Sequence, residues 1–154
     1  MSRAFVREDD LGAEPLPDRQ QSEHPNLVTP RGMQLLEQRV RELEEQLRSA
    51  RESDDKDLAA RVARDLRYFA ARRGSAQGVS VDPAPQRVRF GVCVKLRLAN
   101  GTVRELRLVG EDEADPAAGL LSYVSPLAQS LLGREAGEEV RFLGEPAQIE
   151  SLRG

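Results

Sequence analysis

The chain has 154 residues, of which 39% are hydrophobic, 32% are charged and 4% are aromatic. A core of Leu, Val and Ala fits one modest domain with an appendage, and it disfavours a large enzyme with a deep pocket. The net charge is −3, without the strong basic excess expected of a general DNA-binding protein. Cys93 is the only cysteine, and no apolar run approaches the ~18 residues of a membrane span. We therefore expect a cytoplasmic protein that neither forms an internal disulfide nor enters a membrane.

The first 28 residues contain three Pro and six acidic residues without hydrophobic periodicity. Such a segment buries too little apolar surface to order itself, so residues 1–28 are predicted to be a disordered N-terminal arm. His24 lies alone in this arm, so metal binding by His24 is not expected.

A helix is predicted to begin at Thr29, as the N-cap, with Pro30 in the first helical position. Its apolar residues follow at spacings of three and four, the seam of a heptad repeat. They are Met33, Leu36, Val40, Leu43, Leu47 and Ala50.

A second apolar stripe, Leu58, Val62, Leu66 and Phe69, predicts a second helix that stops near Gly74. Helices of about 22 and 18 residues joined by a short turn are expected to form an antiparallel coiled-coil hairpin over residues 29–76. A parallel dimeric coiled coil is the alternative. In the hairpin, the acidic run ESDDKD at 52–57 becomes the tip, with Ser53 or Asp54 capping the second helix.

Residues 77–154 have the texture of a small sheet domain. Alternating apolar residues from Val88 to Leu98, an Asn-Gly turn at 100–101 and a return strand predict a hairpin. The strand at 120–124, a short helix capped by Ser125 and two further strands complete the order β-β-β-α-β-β. The fold class is therefore α+β, a helical hairpin followed by an antiparallel sheet with one helix. Cys93 falls on the outward phase of its strand, and no nucleophilic role is expected for it.

The stretch VGEDEADPAAGLLSYVSPLAQSLLGREAGEEVRF, residues 109–142, resembles the C-terminal domain of the GreA/GreB transcript cleavage factors. Upstream, VRFGVCVKL is similar to the family's Val-x-Phe-Gly-x-x-Val strand, and LVTPRGMQLLEQRV is similar to its Thr-x-x-Gly-x-x-x-Leu helix start. The resemblance covers residues 27–152.

This resemblance implies an N-terminal coiled coil and an FKBP-like C-terminal domain. It also implies bacterial RNA polymerase as the partner, with the C-terminal domain at the β′ rim of the secondary channel and the hairpin inside that channel. In the family, acids at the tip help to hold Mg²⁺ and a water that hydrolyses backtracked RNA. The chain would then be an accessory factor, not an enzyme, acting as a monomer, touching backtracked RNA indirectly and having no cofactor of its own beyond Mg²⁺ shared with the polymerase.

The resemblance makes Asp54, Asp55 and Asp57 the candidate catalytic acids, with Asp55 and Asp57 as candidate Mg²⁺ ligands within the polymerase complex. The family's tip motif is Gly-Asp-x-x-Glu-Asn. One alignment puts Asp55 on the motif's Asp and Leu58 on its Glu, whereas a shift of one residue makes Asp54 and Asp57 the pair. Cleavage of backtracked RNA and occupation of the channel without cleavage therefore both stay open.

Two further groups are candidates for binding. Arg61, Arg64 and Arg67 form a basic side of the second helix that would contact RNA or the channel wall, or simply face solvent. The resemblance assigns polymerase binding to a loop and a helix start on the C-terminal domain. These residues are Glu111, Asp112, Glu113, Asp115, Ser125, Pro126 and Leu127.

Two other functional classes are weighed against the elongation factor. A prolyl isomerase needs an aromatic-lined pocket, for which the domain offers only Phe90, Tyr123 and Phe142. A structural coiled-coil oligomeriser would be excluded if the chain is a monomer.

Overall fold

The structure is a computed structural model that describes residues 15–154. Its elements in chain order are β1 (Leu27–Val28), α1 (Pro30–Glu52), α2 (Lys56–Ser75), β2 (Gln77–Gly78), β3 (Cys93–Leu98), β4 (Val103–Val109), a 3-10 turn (Pro116–Ala118), β5 (Leu120–Ser122), α3 (Pro126–Leu131), β6 (Glu139–Phe142) and β7 (Glu145–Arg153). Within the described residues, none of the helices is both long and apolar enough to cross a membrane.

The chain divides into two compact units. Of the described residues, the first unit contains 15–23 and 36–75, and the second contains 24–35 and 76–154. The predicted boundaries at 28 and 76 therefore differ from this division at the start of α1, whose first turn groups with the sheet. The hydrogen bonds of Thr29 described below give the physical reason.

The helical hairpin of the first unit has the predicted form. The helices α1 and α2 span 23 and 20 residues, so α1 is about 34 Å long at ~1.5 Å per residue. Leu43, Leu47 and Val62 form a buried cluster against which Leu66 and Phe69 pack. The apolar seam of α1 therefore faces α2 of the same chain. Leu58 departs from the predicted stripe, because 38% of its surface is exposed.

The second unit holds a five-stranded sheet in the order β5-β4-β3-β7-β6. Three of its pairings are antiparallel, as predicted, but β5 runs parallel to β4. The reason is a second reversal inside the connecting loop, where Asp115 forms an antiparallel bridge with Leu120. Gly119 takes φ 76° there, and a Cβ at that position would lie 2.5 Å from the Glu105 carbonyl oxygen. The sheet is therefore mixed.

The core of this unit lies between the sheet and α3. Eleven buried residues form one cluster, among them Leu96, Leu108 and Ile149 from the central strands and Ala128 and Leu131 from α3. Ser125 caps α3 as predicted, since its hydroxyl accepts a hydrogen bond from the Ala128 N–H at 3.3 Å. Cys93 is only 5% exposed, so the expected outward position of this side chain is wrong.

The strand β3 begins at Cys93, five residues later than predicted, because Gly91 makes a turn at φ 86°. Val88 lies before that turn and still belongs to the core, with 0% exposure. The alternating pattern therefore identified a buried residue correctly but extended the strand through a glycine turn.

Residues 15–28 do not match the predicted disordered arm. Leu27–Val28 pairs in parallel with Gln77–Gly78, and residues 16–19 contact α2. Composition missed these contacts because they are made by single side chains and by backbone groups. The rest of the predicted arm, residues 1–14, lies outside the described residues.

Candidate functional site

The end of α1 at the hairpin tip is a left-handed cap. Asp54 has φ 55°, its N–H donates to the Arg51 carbonyl oxygen at 3.2 Å, and the Asp55 N–H donates to the Ala50 carbonyl oxygen at 2.9 Å. This pair of bonds is the Schellman motif, in which Asp54 holds the position that glycine usually takes. The backbone at the tip is therefore well specified even though its side chains are exposed.

The start of α2 is capped by Asp55, not by Ser53 or Asp54 as expected. Asp55 Oδ1 accepts a hydrogen bond from the Leu58 N–H at 3.1 Å. The Ser53 hydroxyl instead donates backwards, to the Ser49 carbonyl oxygen at 2.9 Å. Asp57 lies in the first turn of α2, where a negative charge complements the helix dipole.

The three tip aspartates therefore differ in their freedom to bind a partner. Asp54 and Asp57 are exposed, whereas one oxygen of Asp55 is already used by the cap. No group of three or more His, Cys, Asp or Glu residues in the described part of the chain is arranged to hold a metal ion. The tip acids thus do not fit a Mg²⁺ site built by this chain alone, because Mg²⁺ needs near-octahedral oxygen ligation.

The predicted basic side of α2 is partly covered. Arg61 is exposed, while Arg64 is half-buried with its Nε 3.7 Å from an Asp65 carboxylate oxygen. Arg67 Nε donates to Asp18 Oδ1 at 2.6 Å, and its Nη2 donates to the Leu16 carbonyl oxygen at 3.0 Å. The structure thus brings the N-terminal segment to the helix face that was predicted either to contact RNA or the channel wall, or to face solvent.

Glu113 of the loop after β4 is buried and does not lie on the surface that was expected to bind a partner. It is 7% exposed, and its Oε1 accepts a hydrogen bond from the Thr29 hydroxyl at 2.5 Å. Its Oε2 pairs with Arg31 at 2.9 Å. Thr29 Oγ1 also caps α1, accepting from the Gly32 N–H at 2.9 Å. Glu113 therefore joins the loop after β4 to the start of α1 and is unavailable to a partner.

Sequence reasoning missed this joint because its members are 82 and 84 positions apart. The one signal was Gly32, which falls early in a helix where Ala is preferred. A Cβ there would lie 2.9 Å from Glu113 Oε1, so the glycine is needed for close approach.

The other predicted docking residues lie nearer the surface. Asp115 and Pro126 are exposed, and Glu111, Asp112, Ser125 and Leu127 are partly exposed. Leu127 also packs against the core. These residues all lie in one loop and at one helix start of the second unit, which is compatible with a common surface.

The three aromatic residues weighed for a prolyl-isomerase pocket have different surroundings. Phe90 and Tyr123 pack edge to face, with ring centroids 5.5 Å apart. Phe142 is partly buried against the core. The Tyr123 hydroxyl donates to the Pro25 carbonyl oxygen at 2.5 Å, which is a structural contact.

Among the described residues, Glu138 and Glu150 have carboxyl groups with shifted pKa values, and neither is a candidate binding residue. The backbone N–H of Glu135 lowers the pKa of Glu138, with further help from Arg134. A hydrogen bond from Arg97 lowers the pKa of Glu150. Both groups stabilise the surface of the sheet unit in their charged form.

Comparison with known proteins gives a family match within the second unit and several curated relatives. Residues 83–149 match the family "Transcription elongation factor, GreA/GreB, C-term". A transcription elongation factor GreA from Desulfovibrio desulfuricans is 38% identical over 77 residues, which are 49% of this chain and 48% of that protein. GreA from Nautilia profundicola is 45% identical over 69 residues, 42% of this chain and 43% of that protein. The chain thus spans about half the length of the curated relatives it matches.

Solved structures with some similarity include a GreA/GreB factor from Nitrosomonas europaea, at 21% identity and a TM-score of 0.41, covering 83% of this chain and 98% of the other. The GreA factor homolog 1 protein of Thermus thermophilus has 19% identity and a TM-score of 0.41, covering 85% of this chain and 100% of the other. The family match and the names of the curated relatives agree. Residues 83–149 are therefore similar to the C-terminal domain of the GreA/GreB transcription elongation factors.

Proposed function

We propose that this chain binds bacterial RNA polymerase in the cytoplasm and presents its acidic hairpin tip to the secondary channel, regulating elongation without efficient cleavage of backtracked RNA. It acts as an accessory factor, not as an enzyme. The C-terminal domain docks at the β′ rim of the channel. The main observation in support of the proposed lack of cleavage is the left-handed backbone conformation of Asp54.

The backbone at Asp54 supports one of the two alignments of the tip. A residue with φ 55° occupies a conformation that glycine adopts most readily, so Asp54 stands in place of the motif's Gly. Asp55 then corresponds to the motif's Asp, and Leu58 corresponds to its Glu. A leucine side chain has no oxygen to offer a metal ion or a water, so one of the two carboxylates of the motif is missing.

The remaining carboxylate of the motif, that of Asp55, is less free to bind a metal ion than the motif requires. Asp55 uses one oxygen to cap α2. Asp57 is exposed, but it lies one residue before Leu58 in the helix, and consecutive helical residues point to different sides. The Asp side chain is also shorter than that of the motif's Glu. The tip therefore offers negative charge to the channel without the paired carboxylates of a cleavage factor.

The docking surface is proposed on the loop and helix start of the C-terminal domain. Asp115 and Pro126 are exposed there, with Glu111, Asp112 and Leu127 partly exposed beside them. Loops on a rigid sheet commonly carry binding residues. Glu113 is left out, because both of its carboxylate oxygens are used within the domain.

The experiment adds the protein to backtracked bacterial elongation complexes in Mg²⁺, alone and in competition with a cleavage-active GreA, and follows RNA length. We expect no short 3′ fragments from this protein alone and a reduced rate of GreA-dependent cleavage. Asp54→Ala with Asp57→Ala should weaken this inhibition. Glu44→Ala, an exposed acid in the middle of α1, is the control and should leave the inhibition unchanged.

Short 3′ fragments that disappear in Asp55→Ala would establish the cleavage alternative and overturn the proposal. Absence of competition at saturating protein would contradict polymerase binding itself.

A further inference from the structure

The N-terminal segment lies on the basic side of α2. We call residues 16–19 the strap. Its Asp18 pairs with Arg67 at 2.6 Å, and its Arg19 pairs with Asp65 at 3.3 Å. In the first pair the strap supplies the acid, and in the second it supplies the base. This arrangement of charges favours one direction of the strap on the helix. Both pairs belong to the first compact unit.

At Arg67 the strap uses two separate donors of the guanidinium group. The Asp18 carboxylate accepts from Nε, and the Leu16 carbonyl oxygen accepts from Nη2 at 3.0 Å. This is the fork geometry by which arginine recognises phosphate as well as carboxylate. While the strap is in place, an external anion cannot form the same pair of hydrogen bonds.

At the next residue the strap covers an aromatic face. The Arg19 guanidinium carbon is 3.9 Å from the centroid of the Tyr68 ring and 5.4 Å from that of Phe69. A planar guanidinium over an aromatic ring occupies the position in which a nucleic-acid base stacks. Arg67 thus offers hydrogen-bond donors for a phosphate, and the neighbouring Tyr68 offers a stacking surface for a base. The strap occupies both.

We propose that the strap is an intramolecular competitor for single-stranded RNA on α2. Asp18 takes the place of a phosphate at Arg67, and Arg19 takes the place of a base on Tyr68. Displacement of the strap opens this site, with Arg61 exposed on the same helix. The proposal rests on RNA contact as the role of the candidate arginines Arg61, Arg64 and Arg67, one of the alternatives given by the sequence, and it adds control of that contact by the N-terminal segment.

The ion pair between Asp18 and Arg67 contributes only weakly to holding the strap. The Asp18 side chain is 74% exposed and that of Arg67 is 44% exposed, and such surface ion pairs contribute at most about 1 kcal/mol. Loss of one such pair changes a binding constant by up to about fivefold. This sets the size of the effect to be measured.

The test measures binding of a fluorescent single-stranded RNA of ten nucleotides by anisotropy at low salt, using the full chain without polymerase. We expect Asp18→Asn to bind about two to five times more tightly than the unaltered protein. Glu23→Gln makes the same charge change in the same segment, and for Glu23 the described residues provide no ion pair. The change in RNA affinity caused by Glu23→Gln should be less than half of the change caused by Asp18→Asn.

Two double variants test where the RNA binds. In the Asp18→Asn background, Arg67→Gln should remove the gain in affinity. Tyr68→Leu in the same background should weaken binding by at least about fivefold, the loss expected for one stacked base. Circular dichroism confirms that each variant keeps its helices, so that lost binding is not lost folding.

Equal affinities for Asp18→Asn and Glu23→Gln would overturn the proposal, because general charge would then explain the effect. A gain in Asp18→Asn that survives Arg67→Gln, or binding too weak to measure in every variant, would also overturn it. None of these outcomes involves polymerase, so they are distinct from failure of the cleavage and competition experiment.

Discussion

Glu113 shows how one buried carboxylate organises residues from distant parts of the chain. It accepts hydrogen bonds from Thr29 and Arg31 while Thr29 caps α1. A buried carboxylate is tolerated only when its oxygens are paired in this way. Among the acidic residues of the loop after β4, Glu113 therefore has a structural role.

The joint predicts opposite effects for two helical glycines. Replacing a helical glycine by alanine normally stabilises a protein by about 0.5 to 1 kcal/mol. In Gly32→Ala the new Cβ would lie 2.9 Å from Glu113 Oε1 and 3.3 Å from Thr29 Oγ1. Because Glu113 is held by two hydrogen bonds, it cannot move without loss, and we expect destabilisation of about 1 to 3 kcal/mol.

Gly74→Ala is the matched control, since nothing lies within 4 Å of its Cβ position. Chemical unfolding should show it to be as stable as the unaltered protein or more stable, by up to about 1 kcal/mol. If Gly32→Ala behaves in the same way, the close approach to Glu113 has no energetic importance.

At the scale of elements, the hairpin and the sheet are specified by different features. The hairpin needs an apolar seam and two helix caps at the tip, and both are encoded within 25 consecutive residues or fewer on each side of the turn. The sheet needs pairings between strands far apart in the chain, such as β3 with β7. Ion pairs across these strands, including Arg97 with Glu150, add to that pairing.

The pair on β3 and β7 predicts a pH dependence. The hydrogen bond from Arg97 lowers the pKa of Glu150 below its usual 4.5. The stabilisation is therefore fully present above the pKa of the unfolded chain and is lost as the pH falls through the lower pKa of the folded state. In Arg97→Gln the pKa of Glu150 should rise towards 4.5.

Carbon-detected NMR titration of the glutamate carboxyl groups measures this shift. Arg104→Gln, an exposed arginine on β4, is the control and should leave the pKa of Glu150 unchanged. An unaltered pKa in Arg97→Gln would show that another group stabilises the charged carboxylate.

At the scale of the whole molecule, the hairpin seam bears on oligomeric state. Leu43 and Leu47 pack on Val62 of the same chain, so the seam that would join two chains is already covered. A parallel dimer would require separation of α1 from α2 and loss of this burial.

Light scattering at rising protein concentration should therefore give a constant mass near 17.1 kDa. Leu43→Ala weakens the packing between α1 and α2. This variant should unfold at a lower denaturant concentration, while its molecular mass in solution stays that of a monomer. A dimer mass that falls in this variant would support the coiled-coil oligomer instead.

The sequence alone determined the features that depend on local periodicity and on short motifs. These include the two helices, the cap of α3, the strands of the sheet domain and the family of that domain. Each is encoded within a few turns or one strand pair, so its residues can be recognised without knowing their neighbours in space.

Tertiary structure alone decided the features that join distant residues. Glu113 binds a helix start 84 positions away, Asp18 reaches Arg67 across 49 positions, and β5 became parallel because its loop reverses twice. The tip lies between these extremes: the acids were visible in the sequence, but only the structure showed the left-handed backbone at Asp54 and the cap formed by Asp55. Such contacts depend on where the chain returns in space, which no local pattern of residues encodes.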